Sequence, residues 1–266
     1  MGIREVLAVA LILTPMLVVG WLVYLKSRWN ARVASLLSAL GLSGSLKAFN
    51  QGAGLLNTGL WGAKGNLSVA IDRSGRCCYR VAAPGMTIGL HTVEREVDFY
   101  IERSTPGSPP DLVTGDRNFD AAASIRGNRH DLACALTEKA RHAIQQCFEL
   151  PGEFSVEVGV ATYVQPELPT LESARATVAL LQNAARAMHM GMAKERLAHI
   201  VQNDPEWQMR RLALRSMARA LPDTARLSEE VERARSDESA EVRLLAATLS
   251  PDGADQLCRE AVDTWN

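Results

Sequence analysis

Residues 6–25 read VLAVALILTPMLVVGWLVYL, a run without one charged side chain in a chain of 266 residues. A backbone that leaves water must pair its own polar groups, which a continuous helix does. At ~1.5 Å rise per residue, about 20 residues cover a hydrocarbon core of ~30 Å. The run therefore predicts a single N-terminal transmembrane helix carrying a globular payload. It exceeds the ~7–15-residue apolar region of a removable secretory signal. Lys26, Ser27, Arg28 and Trp29 follow it directly, where a signal would have small residues. Pro15 sits mid-segment, and Trp21, Tyr24 and Trp29 gather toward one end as aromatic rings do at a headgroup interface. Arg4 precedes the run, whereas Lys26, Arg28 and Arg32 follow it. The positive-inside rule then places the payload in the cytoplasm, at an inner (cytoplasmic) membrane.

The formal net charge is -1, from 29 basic and 30 acidic residues spread along the chain. That balance carries no electrostatic footprint for nucleic acid, so nucleic acid is excluded as an expected partner. Of the five cysteines, Cys77 and Cys78 are adjacent and Cys134, Cys147 and Cys258 stand alone. An odd count without framework spacing suits reduced thiols, and no CxxC pair seeds a zinc site.

Along the chain, residues 30–42 read as a juxtamembrane helix with Val33, Leu36, Leu37 and Leu40 on one stripe. Residues 41–65 are rich in Gly, Ser and Asn and read as a loop or linker, with a short strand at 60–61. The period then changes to two: Leu67, Val69 and Ile71 alternate with Ser68, Ala70 and Asp72, a Gly-containing turn follows, and a second strand runs to Ala82. A further strand is expected over 96–103, stopped by the Pro/Gly/Ser cluster 104–110. Beyond it come a short strand over 123–126, a helix over 131–148, a strand over 154–160 and a helix over 171–192 with Thr170 as N-cap. This order predicts an α+β domain with an antiparallel or mixed sheet over 60–192. It is preceded by the transmembrane helix at 6–25 and by the juxtamembrane helix and linker at 26–59.

Residues 193–266 are almost wholly helix-forming and contain an internal match. The segment 204–213, DPEWQMRRLA, aligns with 237–246, DESAEVRLLA, at an offset of 33. Asp204 and Asp237, Met209 and Val242, Arg210 and Arg243, and Ala213 and Ala246 take equivalent places. In a repeated helical hairpin the Asp caps the second helix, the apolar residue and Ala face inward four apart, and the Arg faces its neighbour. The pattern looks like that of HEAT repeats; a plain helical hairpin with a chance match is the dull alternative.

The order of parts carries a wider resemblance. An N-terminal anchor comes first, then a GDxxFD box spelled by Gly115, Asp116, Arg117, Asn118, Phe119 and Asp120, then a short strand ending in Gly127. An ALxxxxR-type helix from Ala135 and Leu136 to Arg141 and closing HEAT-like units complete the set. Together they resemble a group of bacterial membrane-anchored proteins with no assigned activity. The resemblance implies architecture and location and supplies no catalytic residue.

Asp116 and Asp120, four apart around Phe119, with His130 beyond them, form the one candidate acidic site. A turn accounts for the same residue types, with Gly115 left-handed, Asp116 bonded to nearby amides and Phe119 plugged into the core. His130 and Cys134, with His142 and Cys147 further along, lack the loop ligands of a zinc site, and no metal is assigned. The glycines at 52, 54, 59 and 62 match neither a dinucleotide nor a phosphate-binding loop, so no cofactor is expected. Two functions of different classes remain. One is a membrane-tethered protein-interaction or scaffold module with a membrane and a protein as partners, since stacked helices offer extended surfaces. The other is a membrane-anchored enzyme or small-ligand sensor built around Asp116, Asp120 and His130. A deep pocket of convergent polar groups favours the second, and a shallow face on the helices favours the first.

Overall fold

The computed structural model describes residues 3–49, 57–72, 74–84, 87–90, 93–96, 99–104, 112–188, 193–220, 225–250 and 253. In chain order the elements are α1 (Ile3–Ala39), β1 (Ser43–Phe49), β2 (Asn57–Lys64), β3 (Leu67–Ile71), β4 (Cys77–Ala82), β5 (Thr87–Leu90), β6 (Val93–Glu96) and β7 (Phe99–Arg103). Then follow α2 (Arg117–Ala122), β8 (Ala123–Gly127), α3 (Arg129–Ala135), α4 (Glu138–Phe148), β9 (Glu153–Glu157), β10 (Val160–Gln165) and α5 (Leu171–Ala187). Four helices close the order: α6 (Ala193–Asn203), α7 (Trp207–Ala220), α8 (Ala225–Ala234) and α9 (Ala240–Leu249). The chain is α+β and divides into two compact units, Met1–Cys77 with Pro166–Arg175, and Cys78–Gln165 with Ala176–Asn266.

In the first unit β1, β2 and β3 form an antiparallel meander, with Ser45 opposite Trp61 and Leu60 opposite Ile71. Leu67, Val69 and Ile71 are buried while Ser68 and Ala70 between them are half-buried, as the period of two requires. The last turns of α1 bury Val33 and Leu37 and touch β1 and β2. The helix ends where Gly41 turns left-handed at φ 73°, which lets the Leu42 amide donate back to the Leu37 carbonyl. Arg175 donates to the Ala39 carbonyl at 3.3 Å, taking up another of the acceptors left over at that helix end.

Two expectations change here. Residues 41–65, read as a linker, supply β1 and β2: the small residues fit a ladder whose pairing is made by the backbone. The expected transmembrane helix is also overturned, since among the described residues no helix is long and apolar enough to cross a membrane. The physical reason lies in α1. It runs from Ile3 to Ala39 without ending where the uncharged run ends at residue 25. Lys26, Arg28 and Arg32 then fall within the same continuous helix, whose end is a packing element of the first unit. With the span goes the placement as a single-pass protein of the inner membrane with a cytoplasmic payload.

In the second unit the strand order is β4, β10, β9, β7, β8, with the β10–β9, β9–β7 and β7–β8 pairs antiparallel; β5 and β6 form a separate hairpin. Tyr79, Val81, Ile101, Ile125, Val156, Ala161 and Tyr163 are buried on these strands. The helix expected over 131–148 is two helices. Leu136 leaves the helical region at ψ 51°, and the Thr137 hydroxyl caps α4 by accepting from the Ala140 amide at 3.3 Å. The β9–β10 hairpin turns through Val158 and Gly159, at φ 47° and 73°. Both central residues are left-handed, the geometry of a type I′ turn, and a β-branched side chain at the first is strained. Val158→Asn should stabilise the protein by about 1 kcal/mol. A rightward shift of the urea midpoint at unchanged m-value is the expected result.

Candidate binding groove on the helical layer

The GDxxFD box is the start of a helix. Asp116 Oδ1 accepts from the Asn118 and Phe119 amides, each at 3.1 Å, and so caps α2. Asp120, one turn on, accepts from the Thr114 amide at 2.9 Å and hydroxyl at 2.7 Å through Oδ1, and from the Gly115 amide at 2.9 Å through Oδ2. Phe119 between them is fully buried. Gly115 sits at φ 97°, and a Cβ there would lie 2.2 Å from Gln208 Oε1 on α7, so the position admits no side chain without displacing that residue. The structure thus brings Asp116 and Asp120 together with their oxygens already engaged. His130 stands in the first turn of α3, its amide donating to Asn128 Oδ1 at 2.9 Å.

The remaining oxygen of Asp116 lies 3.7 Å from Arg141 Nε on α4. Arg141 is 1% exposed, and its guanidinium makes a fork to Asp204, at 3.0 Å on each oxygen, while Nη1 also donates to the Leu136 carbonyl at 2.9 Å. The arrangement recurs one hairpin on. Arg210 of α7 forks to Asp237 at 2.9 Å on each oxygen and donates through Nη1 to the carbonyls of Asp204 and Pro205. The hydrogen bond to Asp237 is the largest cause of its raised pKa. Arg243 of α9 likewise donates to the carbonyls of Asp237 and Glu238. Met209, Val242, Ala213 and Ala246, the equivalent apolar positions, are all fully buried. The aspartates act locally too: Asp204 accepts from the Glu206 amide and Asp237 from the Ser239 amide.

Beside the first of these pairs, α4, the end of α5 and α6 enclose a half-open groove of about 920 Å³. The helices α4 and α6 that line it carry similar strings, identical at three of nine positions. Residues 138–146 read EKARHAIQQ and residues 195–203 read ERLAHIVQN, an offset of 57. Glu138, His142 and Gln146 stand at successive turns of α4, as do Glu195, His199 and Asn203 on α6. Between them Ala140 and Leu197, Ala143 and Ile200, and Ile144 and Val201 are buried in matched places. The amide four residues on holds each imidazole. Gln146 Nε2 lies 3.1 Å from His142 Nε2, and Asn203 Nδ2 lies 3.1 Å from His199 Nδ1 and 3.0 Å from the His199 carbonyl.

Arg196 closes one end of the groove. It donates from Nε to the Cys134 carbonyl at 2.7 Å, and from Nη2 to the Ala135 and Ala187 carbonyls and the Thr137 hydroxyl. One guanidinium thereby ties the ends of α3 and α5 to the starts of α4 and α6, and burial pulls its pKa down. Lys139 and Arg186 add cationic side chains to the lining. Hydropathy reading passed over this site because each half is an ordinary amphipathic helix. The signal that finds it is the matched string at an offset of 57, once both copies are laid on one helical face.

Among the described residues no group of three or more His, Cys, Asp or Glu side chains is placed to hold a metal ion. Burial pushes the Cys147 thiol up to about 12, so it stays protonated near neutrality and makes a poor ligand or nucleophile.

Phe119→Ala should cost about 3–5 kcal/mol as a vacated core position, and Asp116→Ala about 1 kcal/mol as a lost cap. Asp204→Ala strands the buried Arg141 charge and should cost about 3–5 kcal/mol, whereas the double change Arg141→Met with Asp204→Leu should recover most of that loss. Urea denaturation of the four variants ranks them.

No protein-family model, curated protein or solved structure matches this chain.

Proposed function

We propose that the chain is a protein-interaction module whose helical layer seats a segment of a partner protein. The groove between α4 and α6 carries this reading, for it is half open and lined by side chains from three helices held in place by their own hydrogen bonds. Being half open, it has room for an extended segment laid across it. The offset of 33 and the recurring Arg–Asp forks support reading α6–α9 as HEAT-like repeats, which present extended surfaces of this kind. An enzyme or ligand sensor built on Asp116, Asp120 and His130 has weaker support, because the oxygens of both carboxylates are engaged at the start of α2 and at Arg141.

A photocrosslinking side chain placed at Lys139 or at Asn183, both in the groove, should capture the same protein in cells, and one at the exposed Leu244 on α9 should not. Addition of Arg186→Glu should abolish the capture at Asn183. Equal capture at Leu244, or none at the groove positions, would overturn the reading.

A further inference from the structure

Arg211, Arg215 and Arg219 recur every four residues on α7, and all three are exposed. At ~1.5 Å rise per residue they step ~6 Å along the axis and stand in one stripe. Elsewhere in the helical layer such residues are interleaved with acids. On and just beyond α8, Arg226 meets Glu229 and Glu230, Arg233 meets Glu230, and Arg235 meets Glu232. Helix α7 has no Asp or Glu along its whole length. Among the described residues Arg215 and Arg219 form no ion pair, and Arg211 has only Glu241 of α9 close enough to feel its charge. Like charges four apart work against a helix, so the stability of α7 does not call for them. The helix dipole favours Arg219 in the last turn and neither of the other two. The repeat does not call for them either. At the offset of 33 their counterparts are Leu244, Thr248 and Asp252, whereas the fork-forming Arg210 is matched by Arg243.

We propose that this stripe is a docking surface for an acidic helical segment of a partner protein, whose carboxylates at every fourth residue accept from Arg211, Arg215 and Arg219. A guanidinium offers parallel N–H donors that fit the two oxygens of a carboxylate, and a second helix with the same spacing of four sets its acids in register with the stripe. The uncompensated charge commits the surface to an anion. Its other features favour a protein over a nucleic acid: no large apolar side chain is exposed on α7 for a base to stack on, and the chain as a whole carries a net charge of -1. The stripe shares no residue with the lining of the groove between α4 and α6, so the inference stands apart from the groove's role.

The test uses the full chain and fluorescein-labelled peptides of about 16 residues in which every fourth residue is Glu or Lys and the rest are Ala, a composition that favours helix. Fluorescence anisotropy at low salt should show binding of the Glu peptide and none of the Lys peptide. Raising salt from about 50 mM to about 500 mM, which cuts the screening length to about a third, should weaken binding about tenfold or more. Changing Arg211, Arg215 and Arg219 together to Gln should have an effect of the same size, and changing all three to Glu should abolish binding. The same change in net charge made elsewhere, by Arg80→Glu, Arg117→Glu and Arg129→Glu at exposed positions, should leave the affinity within about twofold, since those sites lie beyond the screening length of a docked peptide. Urea midpoints of the triple variants should stay close to that of the parent. Failure of the Glu peptide to bind, binding that survives the changes to Gln and Glu, or an equal loss on reversing the three other arginines would each overturn the proposal. Tighter binding of a labelled single-stranded DNA of about 12 nucleotides through the same arginines would overturn it in favour of a phosphate ligand.

Discussion

A guanidinium shut away from water has to find its charge and its hydrogen bonds inside the protein, and Arg141 sets that condition for the second unit. Its fork to Asp204 seats the turn before α7 on the first turn of α4, its bond to the Leu136 carbonyl fixes the break between α3 and α4, and its Nε lies near the aspartate that starts α2. Three local events that look unrelated along the chain are therefore one packing event. Taking both charges out of water is costly, and the cost is offset only where every partner is in place. The pair consequently selects an arrangement of helices more than it adds to stability, and the fork of Arg210 to Asp237 repeats that selection one hairpin further on.

The groove follows from this arrangement. With the turn before α7 fixed to α4 by Arg141, and with Arg196 holding the start of α6 to the ends of α3 and α5, the two helices cannot close against each other and their polar stripes are left facing one space. Neither stripe is long-limbed. Each imidazole is braced by an amide one turn on, so less rotamer freedom remains to be lost when a ligand arrives. A second tie, from Gln202 of α6 to the fully buried Glu230 of α8, carries the same rigidity outward into the next hairpin.

Much of the fold was legible where periodicity decided it. The alternation of Leu67, Val69 and Ile71, the stripe of Val33 and Leu37 and the Thr170 cap, which accepts from the Ser173 amide, follow from local rules that tertiary context left standing. The break at Leu136 was not legible, because the apolar face runs through it without glycine or proline, and what breaks the helix is a buried arginine reaching back for a carbonyl. Nor was the strand pair of β1 and β2, whose small residues resemble a linker until a neighbouring strand supplies their hydrogen bonds. The uncharged run at 6–25 misled for a related reason. A hydropathy count treats the run as a separate object, whereas α1 continues through Lys26, Arg28 and Arg32 to a packed end at Val33 and Leu37. At the candidate site, sequence singled out the pair of aspartates, of which Asp116 caps α2 and Asp120 holds the loop before it, and passed over the pair of histidines, which share a groove.

The two copies of the nine-residue string differ in an informative way. Glutamate, histidine and the terminal amide occur in both and line or brace the groove, whereas the basic residue at the second position does not serve the two copies alike. Arg196 is drawn into the clasp at the ends of α3 and α5, and Lys139 stays exposed on the lining. At the fourth position Arg141 holds Asp204, and its counterpart is the buried Ala198. The first, second, fifth and sixth positions line the groove in both copies, whereas Gln145 and Gln202 match without lining it. An arrangement needed only for packing has no physical reason to put the same polar side chains on both walls, since solvent would satisfy any polar residue there. Matched donors across an open space are what a ligand that touches both walls requires.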